Sequence, residues 1–335
     1  MLLTPGLPGF TDATAIRYFS LGRHALTAGL KALAIGRGQF ILMPEYICRD
    51  LLASVHAVQA EALFYPVDRS LAPQLLPAVR NVKAVLAVNY FGFPQVMEPF
   101  RAYCAEHGAT LIEDNAHGFL SRDEQGTPLG SRGDFGIVSL RKTFAFPDGA
   151  ALLVNQQDWI DRLPAPLPCR DDPLPAGFIA KRTLRQIQNA TGFRVRSLGE
   201  KITRHFRRIR TGHAFPVSLP ESEREIPGRP AIHCASLSML KKIDTEGEVK
   251  RRRVLYQEFH RDLRHLDIEP IFADLPSGVA PYGYPFRANE FGAAAVTQIA
   301  RKRGFDCFGW PDLPAAVVPV APDFYRNVWW VNFLC

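Results

Sequence analysis

Three short apolar runs, at 60–65, 82–88 and 109–113, are each bounded by turn-forming residues, and helical patterns near 73–80 and 95–107 lie between them. Strand-length apolar segments alternating with helix-length amphipathic ones describe a mostly parallel sheet with crossover helices, an α/β fold. The alternation starts earlier, with a helix from about Gly22 in which Leu26, Leu30 and Leu33 share one face before Gly36 and Gly38, and a short strand at 40–43. It continues through strands at 135–140 and 149–154. With 335 residues the chain has room for one large and one smaller domain. Ligands in α/β sheets bind outside the carboxyl ends of the strands, so the residues that leave those ends carry the functional question.

Two of them stand out. Leu111-Ile112 runs into Glu113-Asp114, so a buried strand delivers a carboxylate, and Asp114 is the candidate. Twenty-eight residues later, Lys142 lies just past the strand Phe135–Leu140. A carboxylate and an amine at neighbouring strand ends suit pyridoxal phosphate: the lysine forms a Schiff base with the cofactor aldehyde, and the carboxylate keeps the pyridine nitrogen protonated so that the ring acts as an electron sink. The competing reading of Asp114 is a carboxylate that caps backbone N–H groups. The helix start at Gly22 offers free N–H groups and a favourable macrodipole to a phosphate, and Arg23 either adds charge there or is a surface residue.

These residues resemble the nucleotide-sugar aminotransferases of the DegT/StrS type, a branch of the fold-type I pyridoxal phosphate enzymes, and the resemblance covers nearly the whole chain. Its motifs are Glu113-Asp114-Asn115-Ala116-His117, Gly133-Asp134, Ser139, Lys142 and Asp148-Gly149, the last pair starting six residues after the lysine. Asn-Tyr-Phe-Gly-Phe-Pro at 89–94 and Trp310-Pro311-Asp312-Leu313 resemble two further family loops. The resemblance implies a sheet of roughly seven strands in a large cofactor-binding domain, 1–215, and a smaller C-terminal α+β domain, 216–335. It implies Lys142 and Asp114 as catalytic residues, and Gly22, Arg23, Tyr46, Cys48, Asp114, His117, Ser139 and Lys142 as the cofactor-binding set. His117 would sit beside the ring or its hydroxyl, or else serve as a core histidine at the strand turn. The chain departs from the family in one spacing, with Asp134 eight residues before Lys142 where the family more often has ten, and in three further places. Arg23 stands where the family has Thr or Ser, Cys48 occupies the usual place of the ring-stacking aromatic, and Pro227–Ala235 lacks the phosphate-binding asparagine. Tyr46 would stack in place of Cys48, or simply pack in its turn.

The implied activity is transfer of an amino group, with glutamate as donor, to a keto sugar carried on a nucleotide diphosphate, by a cytoplasmic homodimer. One alternative is a sugar dehydratase, whose family members replace the lysine with histidine; the other is a non-catalytic relative used for binding or assembly. A hydrophobic content of 47% with 22% charged residues is ordinary for a globular protein. The formal charge of +7 favours anionic partners, of which a nucleotide diphosphate is one. Much of the charge falls in an expected basic helical insertion at about 178–212. It reads as a solvated face or dimer cover, or as a weak membrane-surface contact; no aromatic interleaving or nucleic-acid-binding motif accompanies it. Met1–Phe10 has no cationic leader, and the apolar runs are too short for a membrane span. Six scattered cysteines without a Cys-x-x-Cys pattern suggest free thiols, and His260 and His265 do not share a helical face for a metal.

Overall fold

A computed structural model describes residues 6–10, 15–191 and 218–334. Strands β1 (Ala15–Phe19), β2 (Phe40–Pro44), β3 (Glu61–Tyr65), β4 (Val82–Val88), β5 (Thr110–Asn115), β6 (Phe135–Ser139) and β7 (Ala150–Val154) form one sheet in the order β1-β7-β6-β5-β4-β2-β3. Every pairing from β6 to β3 is parallel, whereas β7 runs antiparallel to both β1 and β6. The β6–β7 connection, residues 140–149, is too short for a parallel crossover, so the chain must reverse. That reversal carries Lys142. All five residues of β6 and of β7 are buried, as is expected of strands covered on both faces.

The helix Gly22–Ala32 lies against β7 and β6. At Gly29 it lies so near the sheet that an added Cβ would meet Leu152 Cδ1 at 3.3 Å. The helix Glu98–His107 carries proline in its first turn and ends at Gly108 in the left-handed conformation, φ 63°. The helix expected near 73–80 is not formed. Pro73 and Pro77 supply no N–H donors, and the stretch runs irregularly over the surface, with Leu75 69% exposed.

A second sheet, in the order β10-β11-β9-β8, is wholly antiparallel, with β8 at Glu269–Pro270, β9 at Gly283–Arg287, β10 at Asp306–Gly309 and β11 at Val328–Asn332. Ahead of it stand two helices, Cys234–Leu240 and Thr245–Asp262. Asp244 restarts the chain as an N-cap, accepting from the Gly247 N–H at 2.9 Å. Buried side chains of both sheets join one contiguous core, and Tyr46, Tyr90 and Phe91 of the first sheet's loops meet Trp310 of the second unit. Of the expected basic insertion, the helix Ala176–Thr191 is formed; the rest of it and the expected boundary at 215 lie outside the described residues. No helix among the described residues is long and apolar enough to cross a membrane.

The free-thiol expectation fails for two cysteines. Cys169 and Cys234 form a disulfide, because the parallel bridge between Arg170 and His233 brings their Cα atoms to 5.0 Å. Cys48, Cys104 and Cys307 are free.

Candidate active site

Asp114 leaves β5 between Val88 of β4 and Ile137 of β6. Strand alternation sends Glu113 to the other face, where it is fully buried, pairs with Arg132 at 2.6 Å and accepts from Asn89 Nδ2 at 2.8 Å. Glu113 therefore braces the loop after Gly130, and Asp114 is left to line a cavity of about 390 Å³. One Asp114 oxygen accepts from the Ala116 N–H at 3.0 Å; the other has no hydrogen-bond partner among the described residues. Burial raises the Asp114 pKa, and the nearby Lys142 charge and the Ala116 N–H oppose that rise.

Lys142 lines the same cavity. The Gly149 carbonyl fixes its turn by accepting from the N–H groups of Leu140, at 3.0 Å, and Arg141, at 3.3 Å. Gly149 adopts φ +131°, and its own N–H donates to the Ser20 carbonyl at 2.7 Å, which ties the lysine turn to the approach of the helix Gly22–Ala32. Burial lowers the Lys142 pKa, with Asp114 opposing. Lys142 Nζ lies 3.2 Å from His117 Nε2, and His117 Nδ1 accepts from the Phe91 N–H at 3.3 Å. Burial lowers the His117 pKa well below its ordinary value, and the Lys142 charge adds to the effect.

Gly22 and Arg23 open the helix on the cavity wall. Leu21 provides no side-chain cap, and the first intrahelical bond runs from the Ala25 N–H to the Leu21 carbonyl at 3.2 Å. The N–H groups of Gly22, Arg23 and His24 therefore have no intrahelical acceptor, and the arrangement suits an anion. Arg23 lies 3.5 Å from Asp50.

Ser139 and Cys48 also line the cavity, and burial raises the Cys48 thiol pKa. Tyr46 does not line it. Its ring is 0% exposed among Tyr90, Trp310 and Tyr325, and its hydroxyl donates to the Trp310 carbonyl at 2.6 Å. In this structure it is the packing tyrosine of its turn.

The second sheet's unit closes the cavity with Tyr282, Trp310, Asp312 and Trp330. The Tyr282 ring stacks on His117 at 4.3 Å and 10°. Sequence reasoning does not find Tyr282, because no spacing within its own segment points to a histidine 165 positions earlier. It also passed over Arg141, whose side chain reaches the cavity and has no hydrogen bond or ion pair among the described residues. Both ring nitrogens of His233 are engaged: Nδ1 accepts from the Ala235 N–H at 3.0 Å, and Nε2–H donates to the Asp172 carbonyl at 2.7 Å. Asp148 is held by Arg170 at 2.8 Å and by Ser236 Oγ at 2.7 Å.

Residues 11–164 match the profile of the DegT/DnrJ/EryC1/StrS aminotransferase family. A UDP-N-acetyl-3-dehydro-α-D-glucosamine 3-aminotransferase of Acidithiobacillus ferrooxidans is 29% identical over 123 residues. That match takes in 35% of this chain and 33% of the relative, so the chain spans about a third of that curated protein's length. S. venezuelae DesV, solved in complex with a ketimine intermediate, superposes with a TM-score of 0.63 at 19% identity, over 95% of this chain and 79% of that one. The sugar aminotransferase CalS13 of Micromonospora echinospora gives 0.62 at 15% identity, over 95% and 82%. The Streptococcus pneumoniae protein Spr1654, in its PMP form, gives 0.63 at 16%, also over 95% and 82%. At these identities the superpositions show the fold, that of the fold-type I enzymes.

Proposed function

Because residues 11–164 match the DegT/DnrJ/EryC1/StrS aminotransferase family, we propose that the protein is a pyridoxal-phosphate-dependent aminotransferase acting on a keto sugar carried on a nucleotide diphosphate. The observation that carries this reading is that Asp114 and Lys142 leave neighbouring parallel strands and line one 390 Å³ cavity. The same cavity takes in the uncapped helix start at Gly22. Its size suits a small ligand, and its donor set suits the cofactor: an amine, a carboxylate with one unpartnered oxygen, and free N–H groups.

Lys142 would hold the cofactor aldehyde, Asp114 its ring nitrogen, and Gly22 and Arg23 its phosphate, with Cys48, His117 and Ser139 along its edges. Bound there, the cofactor supplies an electron sink for the carbon that exchanges its amine. Lys142, once free, moves the proton at that carbon as general acid and base, which a buried amine with a lowered pKa is suited to do. Asp114 keeps a proton on the ring nitrogen through a charge-assisted hydrogen bond. Tyr282, Trp310 and Trp330 cover the cavity from the second unit and limit water there.

The nucleotide-sugar substrate is supported by the curated relative's own substrate and by Arg141 on the cavity wall, which has no ion pair among the described residues. Glutamate as donor, a homodimer and a cytoplasmic setting complete the reading. Incubating the purified protein with pyridoxal phosphate and then with a panel of nucleotide keto sugars plus glutamate tests it. The expected results are a visible absorbance band that Lys142→Ala lacks, and amination of at least one sugar. Binding without amination of any sugar would leave the non-catalytic reading standing instead.

A further inference from the structure

The loop Asn89–Pro94 is built around an unusual backbone. Phe91 adopts φ 53° and ψ 18°, the left-handed region, although it is a bulky aromatic with 0% exposure. Such a conformation is strained for a bulky side chain and persists where its surroundings enforce it. Gly92 follows at φ +88°, and an added Cβ there would lie 2.9 Å from the Ala280 carbonyl and 3.1 Å from that of His117. What this geometry achieves is the aim of one peptide group. The Phe91 N–H points at His117 Nδ1, 3.3 Å away, while its carbonyl accepts from the Tyr282 N–H at 2.7 Å. The Tyr282 ring lies flat on the imidazole, and Trp310 meets it edge-on at 5.1 Å.

An Nδ1 that accepts a hydrogen bond carries a lone pair, so the neutral ring has its proton on Nε2. Nε2 is 3.2 Å from Lys142 Nζ. An N–H directed at Nζ needs a lone pair there, which an amine has and an ammonium lacks. We propose that the Phe91 backbone N–H locks the His117 proton on Nε2, making His117 a positioning residue that holds Lys142 in the ligand-free site as an unprotonated amine. The loop's left-handed turn then has a chemical purpose, because only a free amine adds to an aldehyde carbon. In that addition the nitrogen forms the bond to carbon, and the carbonyl oxygen leaves as water.

Burial is what favours the free amine, against the Asp114 charge, which favours the charged form of Lys142. Burial favours the neutral form of Lys142, of His117 and of Asp114. The other groups acting on the lysine are Cys48 and Asp50 from the turn after β2, which favour its charged form, and Arg141 beside it, which opposes that form. Tyr282, the ionisable group stacked on His117, has its pKa pushed up to about 12 and stays neutral.

The locked proton stands apart from the cofactor; its use on an aldehyde rests on the pyridoxal phosphate reading. Nitrogen-15 NMR of the ligand-free, histidine-labelled protein at pH 7 tests the lock, with His117→Gln identifying the resonance and His117→Asn serving if glutamine is not tolerated. The expected result is a protonated Nε2 and an unprotonated Nδ1. A proton on Nδ1, or a doubly protonated ring, would overturn the proposal. The second arm follows borohydride trapping of Lys142 by pyridoxal phosphate as a function of pH. A glutamine carbonyl can accept from an ammonium, so His117→Gln should move the profile to higher pH, slowing the reaction at pH 7 by about tenfold for each unit moved. Superimposable profiles would overturn the proposal. Failure to trap Lys142 at any pH would instead remove the cofactor reading, with the NMR result still deciding the lock.

Discussion

Asp114 and its neighbour Glu113 are chemically alike and do opposite things, because one faces the cavity and the other is paired with Arg132 behind the sheet. Replacing Asp114 with Asn keeps the volume and the bond from Ala116 while removing the charge, so the fold and some cofactor binding should survive. The rate of half-transamination with glutamate, followed by absorbance, should fall by about 10²–10³, or roughly 3–4 kcal/mol, as when a single preorganised electrostatic group is removed. An unchanged rate would mean that Asp114 is only a cap. His117 makes a prediction for stability. Its folded pKa lies well below the ordinary 6.5, so as pH falls through 6.5 the unfolded chain takes up a proton that the folded one refuses. Stability is therefore lost toward acid, with a slope approaching about 1.4 kcal/mol per pH unit from this group. Denaturant titrations at pH 7 and pH 5 should show a smaller acid loss for His117→Gln than for the parent; equal losses would count against a neutral buried ring.

The loops and strand ends show what the sequence made legible. Asp114, Lys142 and the Gly22 helix start were readable because each lies at the end of a periodic segment, where strand and helix patterns give position. Tyr46 was not, since a turn aromatic has no period, and only the tertiary packing against Trp310 and Tyr325 shows that it points into the core. The helix misread at 73–80 has a local cause in its two prolines. The Cys169–Cys234 pairing is long-range and left no local trace. Its 65-residue separation predicts that Cys169→Ser loses up to about 4 kcal/mol of stability in the chain-entropy account, readable as a lowered denaturant midpoint relative to the oxidised parent. No difference would show that the thiols are unpaired in solution. Gly92→Ala should cost about 1–3 kcal/mol by the same assay, because the added methyl meets two carbonyl oxygens at a left-handed residue. Wild-type stability there would contradict the loop geometry.

The two sheets share one core, and the cavity lies where they meet, so the proposed site draws on residues of both. The alternation of strands and helices revealed the first sheet and its mostly parallel order, but not that β7 reverses; that follows from the short connection carrying Lys142. The proposed homodimer predicts a sedimentation mass near 75 kDa at micromolar concentration, about twice the chain's 37.4 kDa. A monomer that still binds the cofactor tightly would contradict it. The central claim is that Lys142 and Asp114 form a working aminotransferase site, and the most direct measurement is the absorbance of the cofactor-loaded protein before and after glutamate is added. The account predicts a visible band that depends on Lys142 and is discharged by glutamate in the parent protein. A band that persists unchanged with every amino donor tried, or that survives in Lys142→Ala, would contradict it.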